Sequence, residues 1–231
     1  MARSVCVIPS RAGTKNKGLW LLRGEPLVEW VIRAAGLRKT IVATDQPELN
    51  KAYCARWHNT HLFERSPELA DGGHMVETLI AVADQFELSD DTIMHVCQPS
   101  SPFLRSWDLE KAEEILGLDT FWSSVQTVIP VPHNFHEWNQ RKTDGDLMDF
   151  VNRARRLKAK TKQMKPARWA FGNLVSVRVG ALRSQNAIFA KPSCGWAIPR
   201  WYGLDVDDRA DLRLAEAYLA QGLVTEEELR A

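Results

Sequence analysis

The sequence predicts an α/β domain built on a doubly wound, largely parallel sheet. Short apolar runs alternate along the chain with segments of helical periodicity, the pattern of strands and crossover helices. The first run, VCVI at 5–8, is uninterrupted, as is typical of a strand buried on both faces of a parallel sheet. It ends in a small, basic loop, where open α/β sheets bind ligands. The length of 231 residues suits a single domain, 1–231.

The later elements continue this alternation. A helix is predicted over 27–36, ending at Gly36 as its C-cap, because its apolar residues fall on one face. A strand at 40–43 and a helix from Pro47 to about residue 56 complete the first βαβ unit. The other predictions are a strand at 61–63, a helix at 75–86, a strand at 92–96, a helix at 106–116 capped by Ser106, strands at 174–179 and 203–208, a helix at 209–221, and a terminal helix that begins with Thr225 and Glu228 as a capping box.

The alternation fails between residues 130 and 199, where we expect an inserted, β-rich arm. Within it, the stretch from 152 to 168 contains eight Lys or Arg residues and no acidic residue. Two interpretations stay open for this stretch. It is either a flap that binds an anionic ligand or a solvated arm.

Composition excludes several classes of function. The chain has 45% hydrophobic residues, enough for a real core, and its net charge of +1 gives no overall field for nucleic acid or a membrane surface. No apolar run is long enough to span a bilayer. The four cysteines are widely spaced, which favours reduced thiols over a disulfide framework. We therefore expect a cytoplasmic protein that binds neither nucleic acid nor membrane.

The loop after the first apolar run has the composition of a phosphate site. Residues 10–18 combine small residues, which let backbone N–H groups approach a ligand, with three cations and two hydroxyls. An ordinary basic surface turn is an equally good interpretation of these residues alone. The loop lacks both GxxxxGK[ST] and GxGxxG, so neither a Walker-type NTPase nor a dinucleotide-binding fold is supported.

Asp205 and Asp207 form a second candidate site. In an extended segment their i, i+2 spacing puts both carboxylates on one face, about 7 Å apart along the backbone. Two carboxylates held this close favour a shared divalent cation, and oxygen ligands near phosphates suit Mg²⁺. The neighbouring Asp208 is expected instead to cap the helix that follows.

Four motifs resemble those of the acylneuraminate (CMP-sialic acid synthetase-like) cytidylyltransferases, in the order found in that family. The first is P-S-R-A-G-T-K at 9–15, followed by G-E-P-L-V-E-W at 24–30. The others are R-S-P-E-L-A at 65–70, Q-P-S-S-P-F-L-R at 98–105 and L-D-V-D-D-R-A-D-L-R-L-A-E at 204–216. Together they span most of the chain.

The resemblance implies roles for particular residues. Arg11, Lys15, Asp205 and Asp207 would be catalytic, and the two aspartates would bind Mg²⁺. The nucleotide would contact Pro9, Ser10, Arg11, Ala12, Gly13, Lys15, Lys17 and Arg65. The substrate-binding residues would be Gln98, Lys162, Gln163 and Asn173. Lys162 stands where the family has Arg, and Gly172-Asn173 replaces Asn-Gly. Because Lys lacks the bidentate fork of Arg, the acceptor stays open.

The resemblance also implies a fold and a reaction. The fold would be the Rossmann-like nucleotide-diphospho-sugar transferase type, with residues 130–199 as a dimerisation arm in a homodimer. The enzyme would be a nucleotidyltransferase that moves CMP from CTP to an acidic sugar of the nonulosonic or sialic acid type, releasing pyrophosphate with Mg²⁺. One alternative is a related enzyme with a Kdo-like, phosphate or phosphonate acceptor. Another is a non-catalytic, nucleotide-binding descendant.

Overall fold

A seven-stranded sheet forms the centre of the computed structural model, which describes residues 3–11, 17–71 and 75–230. The strands are β1 Ser4–Ser10, β2 Leu21–Leu22, β3 Glu25–Pro26, β4 Lys39–Thr44, β5 Thr60–Glu64, β6 Ile93–Cys97, β7 Ser124–Pro130, β8 Arg141–Asp144, β9 Leu147–Phe150, β10 Trp169–Arg178 and β11 Ser193–Ala197. The helices are α1 Leu27–Ala35, α2 Pro47–Cys54, α3 Pro67–Asp71, α4 Met75–Gln85, α5 Ser106–Leu118, α6 Arg153–Lys158, α7 Val179–Gln185, α8 Arg209–Ala220 and α9 Glu226–Arg230.

The strand order is β11-β7-β10-β6-β1-β4-β5. β1 is parallel to β4 and β6, β4 is parallel to β5, and β7 is parallel to β11, whereas β10 is antiparallel to both of its neighbours. The carboxyl ends of β1, β4, β5, β6 and β7 therefore share one edge of the sheet with the amino end of β10. We call this edge the carboxyl edge.

Helices cover both faces of the sheet. On one face, α1 and α5 pack their apolar residues against Cys6, Ile8 and Val42. On the other, α4 and α7 pack against Val5, Val7 and Ile41. Because both faces are covered, Val5 to Ile8 are at most 1% exposed, which explains their uninterrupted apolar sequence. The prediction of a doubly wound α/β fold is confirmed. No helix among the residues described is long and apolar enough to cross a membrane.

A third cluster of apolar residues attaches α8 and α9 to the rest of the domain. Leu212, Ala215 and Leu229 are packed there with Trp30 of α1 and with Phe103. The capping box predicted at the start of α9 is confirmed, because Glu228 N donates to Thr225 Oγ1 at 3.3 Å and Thr225 N donates to Glu228 Oε2 at 3.2 Å. The C-terminal part of the chain is thereby fixed beside the first helix.

Two local predictions are wrong. Residues 203–208 form a turn and an extended segment outside any sheet rather than a strand. Ser106 is the first residue of α5 and not its cap. The preceding Arg105 takes that position, where its backbone N–H and guanidinium donate to Asp108 at 3.3 and 2.7 Å. The carboxylate of Asp108 thus binds back to the residue that precedes the helix, as the third residue of a capping box does.

The range 130–199 contains strands of the central sheet. β10 and β11 lie within it and pair with β6 and β7. The part outside the large sheet is residues 131–168, which we call the arm. It contains single helical turns, the exposed β8–β9 hairpin and α6. Its use as a dimerisation arm stays a prediction.

Candidate active site

The loops that follow β1 and β6 meet directly at the carboxyl edge. Gly18 lies in the helical turn Lys17–Leu19. A Cβ on this residue would be 3.3 Å from Pro99 Cβ and 3.6 Å from Ser10 Oγ. Only a residue without a side chain fits easily at this approach. The predicted phosphate loop and the loop containing Gln98 are therefore neighbours.

The loop after β6 also holds the segment with the two candidate metal ligands. Val206 N donates to the carbonyl of Ser100 at 2.8 Å, and Ser101 Oγ donates to Asp205 Oδ1 at 3.4 Å. Val206 is fully buried, whereas Asp205 and Asp207 are exposed. The buried Val206 thus separates two exposed aspartates, as the i, i+2 spacing predicts, although no strand forms here.

Asp208 has the capping role expected for it. Its Oδ1 accepts from Ala210 N at 2.6 Å and from Asp211 N at 3.0 Å. Asp211 Oδ2 in turn accepts from the N–H groups of Asp207 and Asp208 at 2.9 and 3.1 Å. This reciprocal arrangement fixes the backbone of the segment at the start of α8.

Lys17 connects the first loop to the acidic segment. Its ammonium forms an ion pair with Asp207. Arg11 is exposed at the end of β1, while Pro9 and Ser10 are buried within it. Ala12, Gly13 and Lys15 lie outside the described residues. A basic group and a carboxylate from opposite ends of the chain thus meet at the carboxyl edge.

Arg65 is the second basic group predicted to contact the nucleotide. It follows β5, is only 9% exposed, and its N–H donates to Thr44 O at 2.8 Å. Burial lowers the pKa of Arg65, and the positive charge of Arg11 lowers it further against the opposing effect of Asp45. Its Nε is buried and has no hydrogen-bond partner among the described residues. An anion beside Arg11 could accept from this nitrogen.

Asn173 lies beneath the site and is completely buried. Its Oδ1 accepts from Thr127 Oγ1 at 3.0 Å, and its Nδ2 donates to the carbonyl of Tyr202 at 2.9 Å. The neighbouring Gly172 is needed because a Cβ there would be 2.5 Å from Thr127 Oγ1. The described contacts of Asn173 are thus structural, and a contact with substrate stays a prediction.

The other residues predicted to bind substrate come from two places. Gln98 is half-buried in the loop after β6, where its carbonyl accepts from Ser101 N at 3.1 Å. Lys162 and Gln163 are exposed in the single helical turn Lys162–Met164 of the arm. Their contact with an acceptor stays a prediction.

One feature beside the aspartates was not predicted from the sequence. The guanidinium of Arg209 lies over the ring of Trp20, 4.3 Å from the centroid. These two residues line a cavity of about 540 Å³ with Asp208 and Ala210. Ser101 was also not predicted, although its neighbour Gln98 was.

The donor set suits a hard divalent cation that is shared with a ligand. Within the described part of the chain, no group of three or more His, Cys, Asp or Glu side chains could hold a metal by itself. Asp205 and Asp207 offer exposed carboxylate oxygens, and that of Asp205 lies beside the Ser101 hydroxyl. Mg²⁺ commonly uses one or two carboxylates and completes its shell with water and phosphate oxygens, so these residues fit Mg²⁺.

An open α/β sheet with basic groups and an aspartate pair at its carboxyl edge has the architecture of a nucleotidyltransferase. A family model described as cytidylyltransferase matches residues 5–143, more than half of the sequence. The chain belongs to the cytidylyltransferase family, as its motifs predicted.

Several relatives support this assignment. The chain is 31% identical over 164 residues to an N-acylneuraminate cytidylyltransferase of Oncorhynchus mykiss, covering 65% of this chain and 36% of the relative. It is 33% identical over 106 residues to a 3-deoxy-manno-octulosonate cytidylyltransferase of Colwellia psychrerythraea, covering 43% of this chain and 36% of that one. The chain thus spans about a third of the length of these curated relatives.

Solved structures share the fold across almost the whole chain. CMP:2-keto-3-deoxy-manno-octonic acid synthetase complexed with CTP matches with a TM-score of 0.70 and 18% identity, covering 96% of this chain and 100% of that one. The 4-diphosphocytidyl-2C-methyl-D-erythritol synthase of Anaerococcus prevotii matches with a TM-score of 0.62 and 11% identity, covering 95% and 96%. The predicted fold type is confirmed.

Proposed function

We propose that this protein transfers CMP from CTP to an acidic sugar, with Mg²⁺, and releases pyrophosphate. The observation that carries the proposal is the exposure of Asp205 and Asp207 in a segment that the loop after β6 holds through Ser100 and Ser101. Lys17 lies against Asp207 there. Family membership and the names of the relatives, which refer to N-acylneuraminate and 3-deoxy-manno-octulosonate, support the choice of nucleotide and acceptor class.

The chemistry follows from the charges at the carboxyl edge. The acceptor hydroxyl attacks the α-phosphorus of CTP in line, a P–O bond forms to the sugar, and the bond to pyrophosphate breaks. Arg11 and Lys17 neutralise negative charge on the phosphate oxygens, and Arg65 Nε donates to the triphosphate beside Arg11. The hydroxyl proton leaves to solvent.

The two aspartates would hold Mg²⁺ against the triphosphate. When bound there, the metal supplies positive charge to the phosphate oxygens and lowers the pKa of a coordinated hydroxyl. Asp205 would be oriented by Ser101, and the backbone of Asp207 by Asp211.

The acceptor is an acid of the sialic acid or Kdo type. Gln98 would contact the sugar from the loop after β6, and Lys162 and Gln163 would contact it from the arm. Lys162 offers a point charge in place of a bidentate fork, so we expect weaker discrimination for a planar carboxylate than an Arg would give.

We further propose a cytoplasmic homodimer. The arm exposes Leu147 and Met148 of the hairpin, 76% and 65% exposed. Large apolar side chains left this exposed favour contact with a second copy.

Pyrophosphate release tests the reaction. CTP, UTP, ATP and GTP are each incubated with Mg²⁺ and with N-acetylneuraminate, Kdo or a neutral sugar. We expect release only with CTP and an acidic sugar, and a CMP-sugar product of matching mass. Binding of CTP without release for any acid would contradict the proposed transfer and favour a non-catalytic nucleotide-binding protein.

A further inference from the structure

A cavity of about 500 Å³ lies between the end of α1 and the turn that joins α2 to β5, and its walls include Ile32, Leu37 and Trp57. A second cavity, of about 350 Å³, lies beside it and shares Leu37 and Asn59 with it. We call the two cavities the amino-edge cleft, because the parallel strands β4 and β5 begin there. The six residues of β4 span about 20 Å. The amino-edge cleft is therefore separate from the candidate active site at the carboxyl edge.

Hydrogen bonds fix the walls of the amino-edge cleft. Asn59 Nδ2 donates to the carbonyl of Leu37 at 3.0 Å, and Thr40 N donates to the carbonyl of Asn59 at 2.8 Å. Thr60 N donates to the carbonyl of Trp57 at 2.9 Å. The turn before β5 is thereby tied to the turn before β4. A cleft held in this way has its shape before a ligand arrives, which lowers the cost of binding.

The larger cavity combines apolar walls with a donor that the protein does not use. Ile32 is buried, Trp57 packs against the core cluster of α1 and α5, and Leu37 is 92% exposed. Trp57 Nε1 is buried and has no hydrogen-bond partner among the described residues. Because buried indole N–H groups normally have a partner, a ligand with an apolar body and an acceptor atom suits this cavity.

The titratable groups in the walls of the amino-edge cleft are all basic. Arg56 and His58 line the larger cavity, and Lys39 and His61 line the smaller one, whereas no acidic residue of the described chain lines either cavity. Arg56 Nη1 donates to the nearly buried Glu29 at 3.1 Å, but 67% of the Arg56 side chain stays exposed. The cleft therefore presents positive charge to an incoming ligand.

One aromatic ring brings the two basic groups of the smaller cavity together. Lys39 Nζ lies over the ring of Phe86, 4.5 Å from its centroid. The His61 ring lies beside the same ring, with 6.0 Å between the two centroids. The cation–π contact stabilises the ammonium group without neutralising it. Lys39 can therefore still attract an anion at the amino-edge cleft.

We propose that the amino-edge cleft is a second ligand site, which binds a small amphipathic anion. The apolar body of this ligand lies against Trp57 and Leu37, and its acid group pairs with Arg56 while Lys39 adds positive charge from the smaller cavity. The larger cavity, at about 500 Å³, is within the range of about 300–1,000 Å³ that is usual for small-molecule sites. Binding there does not depend on the proposed transfer reaction.

The test is an NMR titration of the full chain with anilinonaphthalene sulfonate, an aromatic anion, and with the same compound lacking the sulfonate. The indole N–H signals of the nine tryptophans are followed in isotope-labelled protein, and Trp57→Phe identifies the signal of Trp57. We expect the sulfonate to shift this signal saturably. The neutral compound should bind at least about tenfold more weakly, because it cannot pair with Arg56.

Leu37→Glu is the variant that tests the site, and Leu118→Glu is its matched control. Both replace a highly exposed leucine, 92% and 80% exposed, so both should keep the melting temperature of the wild type. Leu37→Glu adds a negative charge to the cleft and should weaken binding of the sulfonate at least about tenfold, whereas Leu118→Glu, at the end of α5, should not weaken it.

The outcomes distinguish this site from the transfer reaction. An unshifted Trp57 signal, or equal affinity of Leu37→Glu and the wild type, would overturn the site. Equal affinity for the neutral compound would overturn its assignment to an anion. Since the titration uses neither CTP nor an acceptor, a failure of pyrophosphate release in the assay above would overturn only the transfer reaction.

Discussion

Lys17 and Asp207 form an ion pair although they are 190 positions apart. The pair connects the loop after the first strand to the segment before α8. It forms where the loop after β6 also contacts both parts, through Pro99 beside Gly18 and through Ser101 beside Asp205. The candidate active site is thus assembled from three distant stretches, each held by the other two.

Replacement of Asp205 or Asp207 by Asn should nearly abolish pyrophosphate release. Each change removes a negative oxygen ligand while keeping the side-chain shape, and loss of one such electrostatic contact costs about 3–4 kcal/mol in the barrier. We expect kcat to fall by at least about 100-fold.

Asp208→Asn is the matched control for these variants. Asn is as good an N-cap as Asp, so this variant should keep its melting temperature and most of its activity. If Asp208→Asn lost as much activity as Asp207→Asn, the reaction would require negative charge in this segment in general rather than the carboxylates of Asp205 and Asp207 in particular.

Arg65→Lys should weaken nucleotide binding. Arg65 Nε has no protein partner in the described structure, and Lys cannot place a second donor beside an anion as Arg can. We expect KM for CTP to rise about tenfold with a smaller change in kcat. Steady-state kinetics with varied CTP checks this, and Arg56→Lys, which changes an exposed Arg, is the control. Equal KM values for Arg65→Lys and the wild type would exclude a nucleotide contact.

Asn173→Leu should destabilise the domain. The change keeps the volume but removes the hydrogen bonds to Thr127 and to the Tyr202 carbonyl, leaving buried groups unsatisfied. We expect the free energy of unfolding in urea to fall by about 2–4 kcal/mol. Asn134→Ala, at an exposed position, should change it by less than about 0.5 kcal/mol. An unchanged urea midpoint for Asn173→Leu would contradict the structural role.

Acid should destabilise the protein through His95. This ring is fully buried between Ser176 Oγ at 2.7 Å and Glu113 Oε1 at 3.1 Å. Burial lowers its pKa despite the hydrogen bond to Glu113, and Arg38 lowers it further. In the unfolded chain His95 therefore binds a proton near pH 6.5, whereas in the folded chain it binds this proton only at lower pH.

The neutral His95 ring contributes its full share of the free energy of unfolding above about pH 6.5. This contribution decreases as the pH falls toward the lowered pKa of the folded state, with a slope of up to about 1.4 kcal/mol per pH unit. Urea unfolding of wild type and His95→Gln between pH 5 and 7.5 measures it. The variant should lack this contribution, whereas His61→Gln, at an exposed position, should keep it. Parallel slopes in wild type and His95→Gln would contradict the prediction.

The parts of the fold that the sequence predicted are those with local signals. The buried strands could be predicted because helices cover both faces of the sheet, which makes these strands apolar throughout. The N-cap at Asp208 and the capping box at Thr225 could be predicted because capping involves residues close together in sequence. The exposure of Asp205 and Asp207 on either side of the buried Val206 was predictable because successive residues of an extended segment lie on opposite faces.

The errors have a physical cause in long-range contacts. β7 and β11 carry no strong pattern of their own, and their pairing with each other joins parts of the chain about 70 residues apart. Val206 is held by a backbone hydrogen bond to the Ser100 carbonyl rather than by a neighbouring strand, and the sequence does not reveal this long-range contact. The aromatic contact of Trp20 with Arg209 likewise depends on how α8 docks.

The direction of β10 has a consequence for how this enzyme class diversifies. Because β10 runs opposite to its neighbours, the chain leaves the sheet after β7 and re-enters it at the same edge, with Val131 and Arg168 already bonded to each other. An insertion whose two ends are bonded to each other can become longer or shorter, or be replaced, without a change in the strands of the sheet. We therefore expect that the arm can be exchanged between relatives. A grafted arm should change the choice of acceptor, whereas the loops after β1 and β5 should still bind the same nucleotide.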